Sequence, residues 1–220
     1  MNEIIDEQVK AGISLYTRPF LFIYDWFALG YGCHWLWNCP SRHILEMYDK
    51  HVTVNHLDIG VGTGYFMDKC RFPSPRPRLV LMDLNRNSLN MAKRRLSRYN
   101  PVAYQRNALE PFNINEAPFD SVGIVNLLHC LPGNMKTKSI VFRNTLEVLN
   151  PGGTLFGSTI MPSKVRKNRL SEFTLKRVNQ RGIMTNLDDT AEDLKEQLDR
   201  YFSESSVTVI GYVALFRAKK

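Results

Sequence analysis

Residues 57–66 read Leu-Asp-Ile-Gly-Val-Gly-Thr-Gly-Tyr-Phe: an apolar run carrying Asp58, then Gly60, Gly62 and Gly64 at every second position, then the start of a helix. Glycine is needed where a chain turns sharply and a ligand must approach the backbone, and the first turn of the helix beyond offers N–H groups without intrahelical partners. Such a loop suits a nucleotide-like or carboxylate-bearing ligand. A nicotinamide site would carry G-x-G-x-x-G, whose third glycine would fall at Tyr65, and no Lys-Ser or Lys-Thr of a phosphate loop follows. Dinucleotides and triphosphates are disfavoured on that ground. Asp83 closes the next apolar run, 23 residues after Gly60. Adjacent parallel strands would bring its carboxylate beside the loop, where it can accept two ribose hydroxyls.

Outward from this segment, β-rich runs at 52–59, 78–83, 101–106, 119–125 and 153–159 alternate with helix-like stretches, which predicts a parallel sheet wrapped by helices. Leu89, Ala92, Leu96 and Tyr99 form one apolar helical face, with Arg94, Arg95 and Arg98 opposite and expected in water. Thr190 with Asp193 three residues on resembles a capping box ahead of the stripe Leu194, Leu198 and Tyr201. The closing run VTVIGYVALFRAKK holds two β-rich pieces meeting at Gly211 with no room for a crossover helix, hence an antiparallel hairpin at one sheet edge. The proline-rich stretch 72–78 reads as a surface loop. Ahead of residue 50, Ile5, Val9, Ile13 and Tyr16 recur at helical spacing and Ser41 is a possible cap. The chain is thus expected to be one compact unit, an N-terminal helical extension over 1–50 and an α/β domain over 51–220.

Composition sets the bounds. With 220 residues, 44% hydrophobic and 23% charged, the chain can build one sizeable core, and disorder and fibrous repeats are excluded. A net charge of +8 favours anionic partners without naming one. Cys33, Cys39, Cys70 and Cys130 form no C-x-x-C pair, so neither a zinc ribbon nor a dithiol motif is offered, and reduced intracellular thiols are the plain reading. The opening MNEIIDEQVK begins with acids rather than a basic stretch and an apolar core, which predicts a cytoplasmic protein without a secretory signal. Residues 20–37 are apolar, yet Asp25, Gly30 and Gly32 interrupt them and Pro19 and Pro40 bracket them, so a core-facing helix or an aromatic lid is expected rather than a membrane span.

With these residues in view, the chain resembles the class I S-adenosylmethionine-dependent methyltransferases over residues 50–220. Asp58, Gly60, Gly62 and Gly64 match the family's acidic glycine motif, and Asp83 followed by Leu84 matches its ribose acid. Asn107 and Ala108 stand where the family has an acidic and a small residue touching adenine. The stretch FDSVGIVNLLHCLPG, with Asn126 as a further cofactor contact, looks like the fourth motif, and LNPGG at 149–153 like the turn into strand five. The resemblance implies a Rossmann-like seven-stranded sheet of order 3-2-1-4-5-7-6 with strand 7 antiparallel and helices on both faces. It also implies S-adenosyl-L-methionine as cofactor and S-adenosyl-L-homocysteine as product.

For the acceptor, His129 directly after strand four is the candidate base, against the plainer reading of a hydrogen-bonded neighbour. Cys130 as a nucleophile is disfavoured, since no His and Asn fall in a recognisable catalytic frame with it. Tyr16, Tyr24 and Trp35, with Trp26 and Trp37, either fill the extension's core or reach the substrate over the open sheet edge, and Tyr16, Tyr24, Trp35 and His129 are the substrate candidates. The run 164–181 carries seven Lys or Arg and one Glu and reads as a solvated face neutralised by the acids of 188–199, or as an anion contact. A second basic zone, Arg71–Arg106, falls on loop and outward helix. The function expected is methyl transfer to a small apolar or aromatic molecule, with an RNA methyltransferase or a cofactor-binding scaffold as alternatives. Asn126-Leu127-Leu128-His129 replaces the Asn/Asp-Pro-Pro-aromatic clamp of base-methylating enzymes, so nucleic acid is disfavoured. No acid and histidine cluster has metal-ligand spacing, and no metal is expected.

Overall fold

The computed structural model describes residue 32, residues 34–162 and residues 168–220. The expectations for Tyr16, Tyr24 and Trp26, and for the basic residues 164, 166 and 167, lie outside the described residues. Seven strands, β1 (Asn55–Ile59), β2 (Arg78–Asp83), β3 (Val102–Gln105), β4 (Phe119–Val125), β5 (Leu149–Ile160), β6 (Glu204–Ile210) and β7 (Val213–Lys219), form one sheet. Its order is β3-β2-β1-β4-β5-β7-β6, as the resemblance implies. Pairing is parallel from β3 through β5, and β7 runs antiparallel to both β5 and β6. The terminal hairpin therefore inserts β7 next to β5 and leaves β6 at the edge.

Side chains alternate between the sheet faces. Leu57, Ile59, Val80, Met82, Val122 and Ile124 face one core together with Phe142, Leu194 and Phe202. These come from α5 (Ile140–Val148), from α7 (Ala191–Tyr201) and from the residue just after it. Leu79, Leu81 and Phe156 face the other core with α1 (Ser41–His51), α2 (Tyr65–Lys69) and α3 (Arg86–Arg95). Ser41 is the first residue of α1 rather than its cap, and Pro40 at the cap position makes no side-chain hydrogen bond. This helix was assigned by sequence to the extension. It is packed on the sheet through Ile44, Met47 and Tyr48, with the Tyr48 ring stacked on Phe66 and edge-on to Phe156.

Asn85 caps α3, accepting from the N–H groups of Asn87 and Ser88, and Leu89 and Ala92 are buried as the apolar stripe requires. The opposite side differs from expectation at one arginine. Arg98 pairs with Asp68, but Arg95 turns toward the glycine loop and donates to the Thr63 hydroxyl at 3.0 Å. Periodicity places a residue on a face but is blind to what a long side chain reaches.

The described part of the basic run forms α6 (Arg169–Gln180), whose Arg169, Lys176 and Arg177 are exposed, as are Leu170 and Phe173. Three of the acids expected to neutralise it are engaged elsewhere: Asp189 pairs with Lys138, Asp193 bonds Thr190 and Asp199 pairs with Lys195. Among the described residues no helix is long and apolar enough to cross a membrane.

Thr190 caps α7 by accepting from the Asp193 N–H at 3.0 Å. Thr190→Ala leaves that donor without its partner and is expected to cost about 1 kcal/mol in urea denaturation.

Candidate active site

The register of β1 against β2 sets Ile59 opposite Met82, and the Gly60 N–H donates to the Met82 carbonyl at 2.8 Å. The chain leaves β1 at that bond, and Asp83, the last residue of β2, comes level with the glycine loop. Gly60 has φ +75°, and a Cβ there would lie 3.0 Å from Leu127, so no other residue fits without displacing that wall. At Gly62 a Cβ would meet nothing within 4 Å, which leaves the loop backbone open to a ligand. The resulting cleft is lined by Gly60, Gly62 and Gly64 from the loop, Asp83 at the end of β2 and Leu84 after it, Asn107 and Ala108 after β3, and Asn126, Leu127, Cys130 and Leu131 after β4. All nine residues that the sequence reading assigned to the cofactor line it, Asp58 included.

The two carboxylates are held differently. Asp58 is 1% exposed, and its Oδ2 accepts from the Tyr48 hydroxyl at 2.6 Å and faces His56 Nε2 at 3.4 Å. His56 Nδ1 in turn meets the Ser121 hydroxyl at 2.8 Å. Burial, followed by the charge of Asp58, pushes the Tyr48 phenol well above its ordinary 10, so it remains a donor. Gly123 of β4 makes room for this carboxylate: a Cβ there would come within 2.8 Å of Asp58 Oδ2. Asp83 is half-buried, its Oδ1 accepting from the Asn85 N–H at 2.7 Å and its Oδ2 facing the Gly62 N–H at 3.4 Å. Burial raises its carboxyl from 3.8 to about 6, against the lowering effect of those N–H groups. The long Gly62 contact leaves Oδ2 weakly satisfied, as an acceptor awaiting better donors would be.

Asn107 lines the cleft, but its side chain is engaged. Its Oδ1 accepts from the Leu109 N–H at 3.0 Å and its Nδ2 faces Glu110 Oε1 at 3.3 Å, so it shapes the loop after β3 rather than presenting its amide to a ligand. Asn126 sits at φ +55° and accepts from the Ser158 hydroxyl at 2.8 Å, which ties the wall after β4 to β5. Trp35 is 63% exposed and does not line the cleft.

His129 does not line it either. The ring is 3% exposed, its Nδ1 accepts from the Ile160 N–H at 3.1 Å, and burial with the nearby Lys138 charge pushes the imidazole down to about 3. A nitrogen already used as an acceptor, on so weak a base, has no proton-abstracting capacity toward the cleft near neutral pH. The structure makes His129 a strut between β4 and β5, which corrects its assignment as a base. Sequence reasoning passed over Tyr48, Tyr65, Ser88 and Arg106, all of which line the cleft. Helix α1 delivers Tyr48 from outside the motif, and only the three-dimensional packing identifies it. Among the described residues no group of His, Cys, Asp and Glu could hold a metal ion.

A family model described as a methyltransferase domain matches residues 57–155, the span from β1 into β5. The demethylluteothin O-methyltransferase of Streptomyces thioluteus is 39% identical over 217 residues, covering 99% of this chain and 94% of that protein. The physcion biosynthesis cluster O-methyltransferase of Aspergillus chevalieri is 36% identical over 213 residues, covering 96% of both. Among solved structures, the DhpI–SAH complex superimposes with a TM-score of 0.67 at 16% identity, covering 96% of each chain, a likeness of fold.

The Tyr48 to Asp58 bond has a charged acceptor and lies in the core. Tyr48→Phe is expected to lower stability by about 1.5–3 kcal/mol, read from the urea midpoint at unchanged slope.

Proposed function

The chain belongs to the methyltransferase family, and from that premise we propose that it moves the methyl group of S-adenosyl-L-methionine onto an oxygen of a small, largely apolar organic molecule. The observation that carries this reading is Asp83: a half-buried carboxylate, level with an open glycine loop, with Oδ2 facing the Gly62 N–H at 3.4 Å. The cofactor fits the residues present. Asp83 would hold the ribose hydroxyls, the Gly60–Gly64 backbone would face the amino-acid part, and Leu84, Arg106, Asn107 and Ala108 would surround the base. When bound, this cofactor supplies a methyl group on a positively charged sulfonium. The chain's own contribution is to attract that cation with the Asp58 and Asp83 carboxylates, to fix its orientation, and to exclude water with Val125, Leu127 and Leu131.

An oxygen acceptor is supported by the names of the two relatives above, each matched over nearly the whole of its length. A small acceptor agrees with a cleft whose β4 side is built from Val125, Leu127 and Leu131. His129 being occupied elsewhere, the acceptor enters the cleft as the oxyanion after yielding its hydroxyl proton to solvent, and the described residues contribute positioning and desolvation.

Calorimetry with S-adenosyl-L-homocysteine is the direct test, and saturable binding is expected. Heat with NAD but none with S-adenosyl-L-homocysteine would overturn the reading. Asp83→Ala is expected to weaken binding by about 1.5–3 kcal/mol.

The raised Asp83 carboxyl adds a pH signature. Ribose hydroxyls donate best to the ionised form, so affinity is expected to be flat above about pH 7 and to fall as pH drops below about 6, with proton release on binding between roughly pH 4 and 6. For the unliganded fold the opposite trend is expected from this group, with stability lost as pH rises from about 4 through 6. Asp83→Asn should abolish both effects, measured in buffers of differing ionisation heat.

A further inference from the structure

Lys138, at the end of α4 (Met135–Lys138), and Asp189 form a charged pair whose side chains are 0% and 1% exposed, with Nζ and Oδ2 2.5 Å apart. Sealing two charges in a core carries a desolvation cost that the pairing must offset, and two apolar residues of like volume hold such a place at least as well. What an apolar pair cannot supply is direction. Lys138 Nζ also donates to the Thr185 carbonyl at 2.6 Å. Thr185 then donates its N–H to the His129 carbonyl at 2.9 Å and its hydroxyl to the Leu131 carbonyl. From the other side the Ile160 N–H donates to His129 Nδ1 at 3.1 Å, and the Asn186 amide donates to the Ile160 carbonyl at 2.7 Å.

Two of these bonds end on His129 in the 3-10 turn Leu128–Cys130 and one on Leu131 just after it, with Lys138, Asp189 and Asn186 a step behind, and Leu127, Cys130 and Leu131 of the same segment are cleft wall. The loops after β1, β2 and β3 are taken by the cofactor in the reading above, and the wall after β4 is what remains for the acceptor.

We propose that Lys138 and Asp189 are positioning residues for methyl transfer: through Thr185 and His129 they hold the Leu127–Leu131 wall in the place where the acceptor meets the cofactor. This inference rests on the proposed function for the identity of the wall's ligand, but the order of the wall is measurable without any ligand. The reporter is Cys130, which lines the cleft, with the buried Cys70, whose thiol burial pushes to about 12, as internal control.

The test compares the wild type with Lys138→Met/Asp189→Leu, which removes both charges and leaves neither uncompensated. Alkylation by iodoacetamide is followed peptide by peptide by mass spectrometry. The expected result is labelling of Cys130 faster by about tenfold or more, with Cys70 unchanged, as local opening without global unfolding requires. With a phenolic acceptor found by screening, its KM should rise by about tenfold while the KM for S-adenosyl-L-methionine stays within about threefold.

Unchanged Cys130 labelling, or equal acceleration at Cys70, would make the pair a purely structural element and overturn the proposal. If the double variant does not fold, Thr185→Val removes only the hydroxyl bond to the Leu131 carbonyl. That variant must still accelerate Cys130 selectively, and failure to do so overturns the proposal equally. Failure of the wild type to bind S-adenosyl-L-homocysteine strikes the proposed function instead, and is read in a separate experiment.

Discussion

The pairing of Ile59 with Met82 is the constraint from which the site follows. In a parallel pair, a slip of one residue would carry every side chain of a strand to the other face. Here it would send Asp58 into the apolar core of Phe142 and Phe216 and turn Asp83 away from the loop. The register is secured from both sides. Leu57 and Ile59 are committed to one core and His56 and Asp58 to the other, where Tyr48 and Ser121 satisfy them. The Gly60 N–H on the Met82 carbonyl is the last bond of that pairing, and the turn begins at it.

That arrangement separates the work of the two carboxylates. Asp58 has its oxygen taken by a phenol in the core, with Gly123 leaving space for it, so it acts as a fixed charge beneath the loop. Asp83 stands at the surface of the cleft with a raised proton affinity and an oxygen only loosely held. A ligand bringing two hydroxyl donors restores what burial has taken from it. Methyl transfer from a cation needs little more of a protein than such a charge distribution, a defined approach and the absence of water. The buried cluster of Lys138, Asp189, Thr185 and His129 belongs to the second of these requirements, since it lies behind the wall and not in the cleft.

The sequence disclosed those parts of the molecule whose signal is local. The glycine spacing, the acid at the end of β2, the alternation of strands and helices and the hairpin around Gly211 each depend on neighbours within a few residues, and each stands where it was expected. Residues whose role is decided by distant packing were not legible. His129 was placed correctly, after β4, but the direction of its ring depends on Ile160, 31 residues further on. Tyr48 is anonymous on an amphipathic helix until Asp58 is found beneath it. Arg95 follows a solvent-facing period yet spans to Thr63, and Asn107, which the resemblance expects against adenine, closes its own turn with its amide. Trp35 shows the same limit from the opposite side, an aromatic that composition marks for a pocket and the fold leaves exposed.

A crystal structure of the chain with S-adenosyl-L-homocysteine bound tests the central claim most directly. The ribose hydroxyls are expected on the Asp83 carboxylate, the amino-acid part along Gly60–Gly64, and the sulfur directed toward the wall of Leu127 and Leu131. A ligand bound in that cleft with its ribose away from Asp83, or its sulfur turned from the β4 wall, would contradict it.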